Sequence, residues 1–179
     1  LTLEKRANHP GSGRRKAAAY QKGRQLQPFE TAAVKKLIGE GPYERPLLIE
    51  YLHQIQDAEK CLPAGHIHAL AELLRIPMAE VYEVATFYAH FDVVQDGEEK
   101  PEPITIRVCD SLSCMLAGAE KLIAMLGAED MPQVRVLRAP CIGACDVAPA
   151  AEVGHKHVPK ATVAKIKKVV EKGDLHATI

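Results

Sequence analysis

The chain has 179 residues, 47% of them apolar and 26% charged, with 23 basic and 23 acidic side chains. That balance describes a folded chain of one or two small domains and excludes a disordered one. No apolar run reaches the ~18 residues of a membrane span, and no basic start leads into a short apolar stretch with a small-residue cleavage site. A cytoplasmic location without direct membrane contact is the expectation.

Charge is unevenly spread. Residues 1–25 hold seven of the basic side chains (Lys5, Arg6, Arg14, Arg15, Lys16, Lys22, Arg24) against Glu4 alone, which leaves 16 basic and 22 acidic side chains for the rest. With Gly, Pro and Asn and little apolar periodicity, residues 1–27 read as a basic flexible arm, either solvated or docked on an acidic neighbour. The start at Leu1 instead of Met reads as a chain from which something upstream is missing.

Residues 28–91 have helical periodicity. "FETAAVKKLIGE" places Ala33, Val34, Leu37 and Ile38 at three-to-four spacing and is closed by Gly39. After Pro46, Leu48, Tyr51, Leu52 and Ile55 form one apolar face; Ile67, Leu70, Ala71 and Leu74 form another after Pro63; and Val81, Val84, Ala85 and Tyr88 follow Pro77. The expectation is a four-helix module. Residues 92–103, "DVVQDGEEKPEP", are acidic and proline-broken and read as a linker.

From 104 to 179 the period changes. "ITIRV" (104–108) and "VRVLRAP" (134–140) read as strands, and 116–127 as a helix. "AEVGHKHV" reads as a strand pair around Gly154, and "PKATVAKIKKVVEKG" as a last helix with Val163, Ile166, Val169 and Val170 inward. The order β-α-β-β-α after an all-α unit gives an α+β chain.

The chemistry lies in the cysteines, five in all. In a reducing compartment, closely spaced cysteines are metal ligands or redox groups more often than disulfides. Cys109 ends the first strand and Cys114 precedes the helix; Cys141 and Cys145 occupy the loop after the second strand, 26 residues on. Neighbouring strands would bring both loops to one sheet edge and converge the four thiols.

Four thiolates suit a tetrahedral zinc or a 2Fe-2S cluster. The wide C-x4-C and C-x3-C pairs favour the cluster, since each iron takes two cysteines. Small Gly143 and Ala144 would let backbone N–H groups approach the sulfurs, with Ser111 and Ser113 as further donors. Arg107 and Arg138 would offset the cluster's negative charge. A thiol redox site is disfavoured because no C-x-x-C is present. His155 and His157 fit no C-x-H pairing and are read as solvent-facing strand residues. Cys61 is read as a packed or surface thiol.

"HALAELLRIPMAEVYEVATFY" has the helix-turn-helix outline of a DNA reader. Its second helix offers Met78, Glu80, Tyr82 and Glu83, without Arg or Lys for phosphate, so a helical packing or docking unit is preferred and no nucleic-acid partner is expected.

The set "CDSLSC…APCIGACDVAPAAEV", with "IEYLHQIQDA" and "VYEVATFYAHFDVV" ahead of it, resembles the 24-kDa-type subunit of NADH dehydrogenases over about residues 28–172. Members of that family are thioredoxin-like 2Fe-2S ferredoxins with a helical N-terminal module, which implies such a domain over 104–179 and ligation by Cys109, Cys114, Cys141 and Cys145. The resemblance gives Cys61 no role. "LIEYLHQIQDA", "ATFYAHFDVV", "AEVGH" and the short gap between cysteine pairs look most like the gamma subunit of soluble NAD-dependent formate dehydrogenases, and equally like the N-terminal domain of versions fused to the flavin-bearing subunit. "VEKGDLHATI" resembles the fusion's passage into its next domain. The resemblance implies single-electron transfer beside FMN and NAD on a 51-kDa-type partner, with a molybdenum- or tungsten-type formate dehydrogenase subunit in the assembly. NADH-quinone oxidoreductases and NAD-linked hydrogenases are the alternatives within the family. A zinc-stabilised interaction module is the alternative of another class.

Overall fold

A computed structural model describes residues 24–173 and Leu175. Most of the basic arm expected over 1–27 therefore lies outside the described residues, as does most of "GDLHATI". Arg24, at the arm's end, grips the Glu30 carboxylate and donates to Asp96 at 2.8 Å. That pairing holds Glu30 down at about 2, well below the usual carboxylate range.

Helices fill the N-terminal half. α1 (Pro28–Ile38) starts with proline in its first turn, where a missing N–H costs nothing, and the Glu30 carboxylate reaches back to the Gln27 N–H at 2.9 Å. α2 (Leu48–Glu59) follows a short 3-10 turn and ends at Lys60 with φ 63°; α3 (Ala64–Leu74) ends at Arg75 with φ 55°; and α4 (Met78–Phe87) starts after Pro77. Their apolar faces meet in one cluster in which Val34, Leu52, Ile55, Leu62, Leu70, Val81 and Ala85 are wholly buried. The short strands β1 (Leu62–Pro63) and β2 (Val93–Val94) pair in parallel, so the first residues of the 92–103 stretch are stitched to the helices.

The C-terminal half is a four-stranded mixed sheet with helices. β3 (Ile104–Cys109) runs parallel to β4 (Val134–Ala139), in the register Ile106↔Val136 and Cys109↔Ala139. Between them come α5 (Leu112–Leu116) and α6 (Ala119–Gly127). The single helix expected over 116–127 is instead two, broken where Gly118 adopts φ 92°, so Cys114 lies within a helix and not ahead of one. β5 (Ala151–Val153) pairs antiparallel with β3, and β6 (Lys156–Val158) with β5, giving the order β4-β3-β5-β6. α7 (Val163–Lys172) starts where the Thr162 hydroxyl accepts the Lys165 N–H at 3.3 Å and ends at Gly173 with φ 63°. Ile106, Val108, Val153 and Ile166 are wholly buried in this half's cluster. Among the described residues no helix is long and apolar enough to cross a membrane.

A polar knot joins the halves. Arg107, on β3 and only 5% exposed, donates to the carbonyls of Ala89 (3.1 Å) and His90 (2.7 Å) and lies 3.4 Å from the Asp92 carboxylate. Arg135 from β4 also grips Asp92, whose own N–H donates to Gln56 Oε1 at 3.0 Å. Burial pulls Arg107 below its ordinary pKa, and the Asp92 charge opposes that pull. Asp92→Ala removes the carboxylate and leaves a buried guanidinium without its counter-charge, so it is expected to lower the free energy of unfolding by about 3 kcal/mol. Urea titration followed by circular dichroism measures this, and a change within ~0.5 kcal/mol, the range of a neutral surface substitution, would contradict the role given to the knot.

Candidate metal centre

The parallel register decides where the cysteines go. β3 and β4 end side by side, and the chain leaves both at the same edge: the Cys109 N–H donates to Ala150 O at 3.1 Å and the Asp110 N–H to Ala139 O at 3.0 Å. From Ser111 the chain enters α5, which carries Cys114 inward while Leu112, Met115 and Leu116 face outward and exposed. After β4, the loop Pro140–Ala144 leads into a 3-10 turn at Cys145–Val147.

All five cysteines are free thiols. Cys141 and Cys145 are exposed, with their sulfurs 3.4 Å apart; Cys109 and Cys114 are buried behind them and hydrogen-bonded to one another. The sulfur contacts thus join Cys141 to Cys145 and Cys109 to Cys114. The observed set is two pairs, one outer and one inner.

Donors surround the inner pair. Burial raises the Cys109 thiol, but hydrogen bonds from the Ser111 N–H, the Cys114 thiol, the Ile142 N–H and the Ser111 hydroxyl outweigh it, so its pKa falls below the ordinary value. Burial pushes Cys114 up, opposed by the Ala150 N–H at 3.4 Å from its sulfur and reinforced by the charge of Cys109 and Cys145. The neighbouring Cys141 thiol pushes Cys145 up, while Ser113 donates to Cys145 and works the other way. Gathered thiolates repel, and a bound cation removes that penalty.

Four sequence expectations need correction. A Cβ on Gly143 would meet nothing within 4 Å, so its glycine answers to the φ of 82° and not to crowding; the backbone donors come from Ser111, Ile142 and Ala150. Arg107 is spent on the carbonyls of Ala89 and His90 and on Asp92, because its strand position turns it toward the helices. Arg138 pairs with Glu120 at 2.5 Å on the surface, which neutralises it. His155 sits in the β5–β6 turn, half-buried against His90 with ring centres 4.7 Å apart, whereas His157 on β6 is exposed as expected. Cys61 is buried at the end of α2, its thiol donating to Glu59 O at 3.6 Å.

The family model for the thioredoxin-like 2Fe-2S ferredoxin matches residues 34–174. The chain belongs to that family. Its cofactor is accordingly a 2Fe-2S cluster, and two thiol pairs, the inner one ringed by N–H and hydroxyl donors, are a donor set of the right kind for one. The chain is 29% identical over 140 residues to the NADP-reducing hydrogenase subunit HndA of Solidesulfovibrio fructosivorans, covering 72% of this chain and 78% of that one. It is 28% identical over 139 residues to an E-type subunit of the NADH-quinone oxidoreductase of Rhizobium meliloti, covering 73% and 80%. Among solved structures it is similar to an NAD+-reducing NiFe-hydrogenase in the air-oxidized state, with 25% identity and a TM-score of 0.52. That match covers 70% of this chain but 22% of the hydrogenase chain.

Two glycines of this region separate conformational need from crowding. Gly143→Ala is expected to cost about 1 kcal/mol through its positive φ alone. Gly154→Ala should cost more, because its φ of 60° is joined by Leu175 O at 2.9 Å from the new Cβ. Paired urea titrations measure the difference, and the reverse order would contradict the distinction.

Proposed function

We propose that this chain is the electron-transfer component of an NAD-linked oxidoreductase, its 2Fe-2S cluster held by Cys109 and Cys114 on one iron and Cys141 and Cys145 on the other. The observation that carries the reading is the division of the four thiols into a buried, donor-ringed pair and an exposed pair at one sheet edge. Burial on one side protects the cluster, and exposure on the other lets a redox partner approach. Hydrogen bonds to the sulfurs and partial burial are what set the potential of such a cluster.

The partner we infer is an FMN- and NAD-binding protein of the 51-kDa type, either a separate subunit or the next domain of one chain. The flavin would exchange a hydride with NAD and pass single electrons to this cluster, so the chain itself turns over no substrate. Formate is the proposed source of electrons, supplied by a molybdenum- or tungsten-type subunit; the support is the sequence blocks "LIEYLHQIQDA", "ATFYAHFDVV" and "AEVGH". A hydrogenase or NADH-quinone oxidoreductase is the second reading, favoured by the likeness to proteins that bear those names. In either assembly we place the chain in the cytoplasm, with 28–91 as a helical unit, 92–103 as the connection and 104–179 as the cluster domain.

The test is to assemble the chain with its flavin-bearing partner and follow the visible spectrum anaerobically. NADH should bleach the cluster, and formate should do so only when the molybdenum or tungsten subunit is present. Flavin reduction by NADH with an unchanged cluster would sink the electron-transfer role, and bleaching by hydrogen but not by formate would move the assembly to the hydrogenase reading.

A further inference from the structure

Three histidines from three distant parts of the chain converge outside the cysteine site. His53 comes from α2, His90 from the segment after α4, and His155 from the β5–β6 turn. Their ring centres are 4.8 Å (His53–His90), 4.7 Å (His90–His155) and 5.8 Å (His53–His155) apart, and one ring nitrogen from each lies within 4.8 Å of the others. No other trio of His, Cys, Asp or Glu among the described residues is so gathered.

The surroundings suit a cation. Asp57, one turn beyond His53 on α2, has Oδ1 2.6 Å from His155 Nε2. A carboxylate on one ring nitrogen orients the imidazole and leaves Nδ1 to face a metal, the arrangement that supports zinc-bound histidines. Glu50 and Glu152 add negative charge toward His53. Arg107, whose charge opposes a cation at His90, is held by two carbonyls and Asp92. Burial favours the neutral form of His53 and His90, which is the ligating form. A cavity of about 120 Å³ lies beside two of the three rings, lined by Asp57, His90 and His155 together with the cations Lys60 and Arg107.

The backbone holds the three rings near their places. The His90 carbonyl accepts from Arg107 at 2.7 Å, the His155 N–H donates to Leu175 O at 2.8 Å, and Phe91 packs edge-on against His53 at 4.9 Å. A tetrahedral site with metal–nitrogen bonds of ~2.0–2.1 Å needs nitrogens ~3.3 Å apart, so separations of up to 4.8 Å close by up to about 1.5 Å around an ion.

We propose that His53, His90 and His155 form a second metal site, separate from the cysteine centre, that takes a divalent ion of the zinc class and ties the β5–β6 turn to the helical half. Imidazole nitrogens select zinc, copper or nickel over magnesium or calcium. Because the ligands come from separate segments, the ion binds the folded chain and stabilises it.

The experiment uses the full chain with its iron first brought to two per chain, so that the cysteines are occupied. Zinc chloride is then added by equilibrium dialysis, and bound zinc is read by elemental analysis and zinc-edge X-ray absorption. The expected result is one zinc per chain with a nitrogen and oxygen shell at ~2.0–2.1 Å and no sulfur at ~2.3 Å. His53→Gln, His90→Gln and His155→Gln combined should abolish that zinc with iron content and visible spectrum unchanged. Asp57→Asn, at a half-exposed position, should weaken it about 10- to 100-fold with iron content unchanged. Zinc with a sulfur shell, zinc retained by the triple variant, or no stoichiometric zinc in the parent chain would overturn the proposal.

Discussion

The parallel pairing of β3 with β4 is the constraint on which the site depends. Parallel strands require a crossover, and here it is α5 and α6; both strands therefore end at one edge, with Cys109 opposite Ala139. A slip of one residue in that register would turn Ile106 and Val108 out of the core and move Cys109 from its place opposite Ala139. The positions of the thiols are thus enforced by hydrophobic burial several residues away. The cysteine loops need only short excursions from a rigid edge, which suits a group that must change charge without rearrangement.

The second organising feature is the knot of Arg107, Arg135 and Asp92. Strand residues alternate in direction, and on β3 the neighbours Ile106 and Val108 enter the sheet's core while Arg107 reaches the helical half. A buried arginine is costly unless its donors are satisfied, and the carbonyls of Ala89 and His90 satisfy them. Holding those carbonyls also fixes the segment after α4. The same contact positions His90 beside His53 and His155, so the joint between the halves and the histidine trio are one construction.

Much of this was legible in the chain. Period-3.6 apolar spacing marked the buried face of α2 at Leu48, Tyr51, Leu52 and Ile55, and β-branched alternation marked β3 and β4. The four cysteines stood out because their spacing and the strand reading together implied convergence. What escaped the sequence was set by tertiary geometry. Gly118 read as an ordinary helix residue until its φ of 92° split α5 from α6. Arg107 and Arg138 were near the cysteines along the chain, but strand alternation turned one to the helices and a surface partner took the other. His155 gave no local sign of meeting His53 and His90, both far back in the helical half, and only the antiparallel β5–β6 turn brings it there.

The central claim is that four named thiols hold two irons in two pairs. It is tested most directly by iron, acid-labile sulfide and electron paramagnetic resonance measured on the anaerobically prepared chain and on its five single Cys→Ser variants. The account predicts two irons and two sulfides per chain and a spin-one-half signal after one-electron reduction. Loss or distortion of that signal is expected in the variants at Cys109, Cys114, Cys141 and Cys145, and an unchanged signal at Cys61. A chain holding one zinc without sulfide, or a cluster untouched by Cys114→Ser and lost with Cys61→Ser, would contradict it.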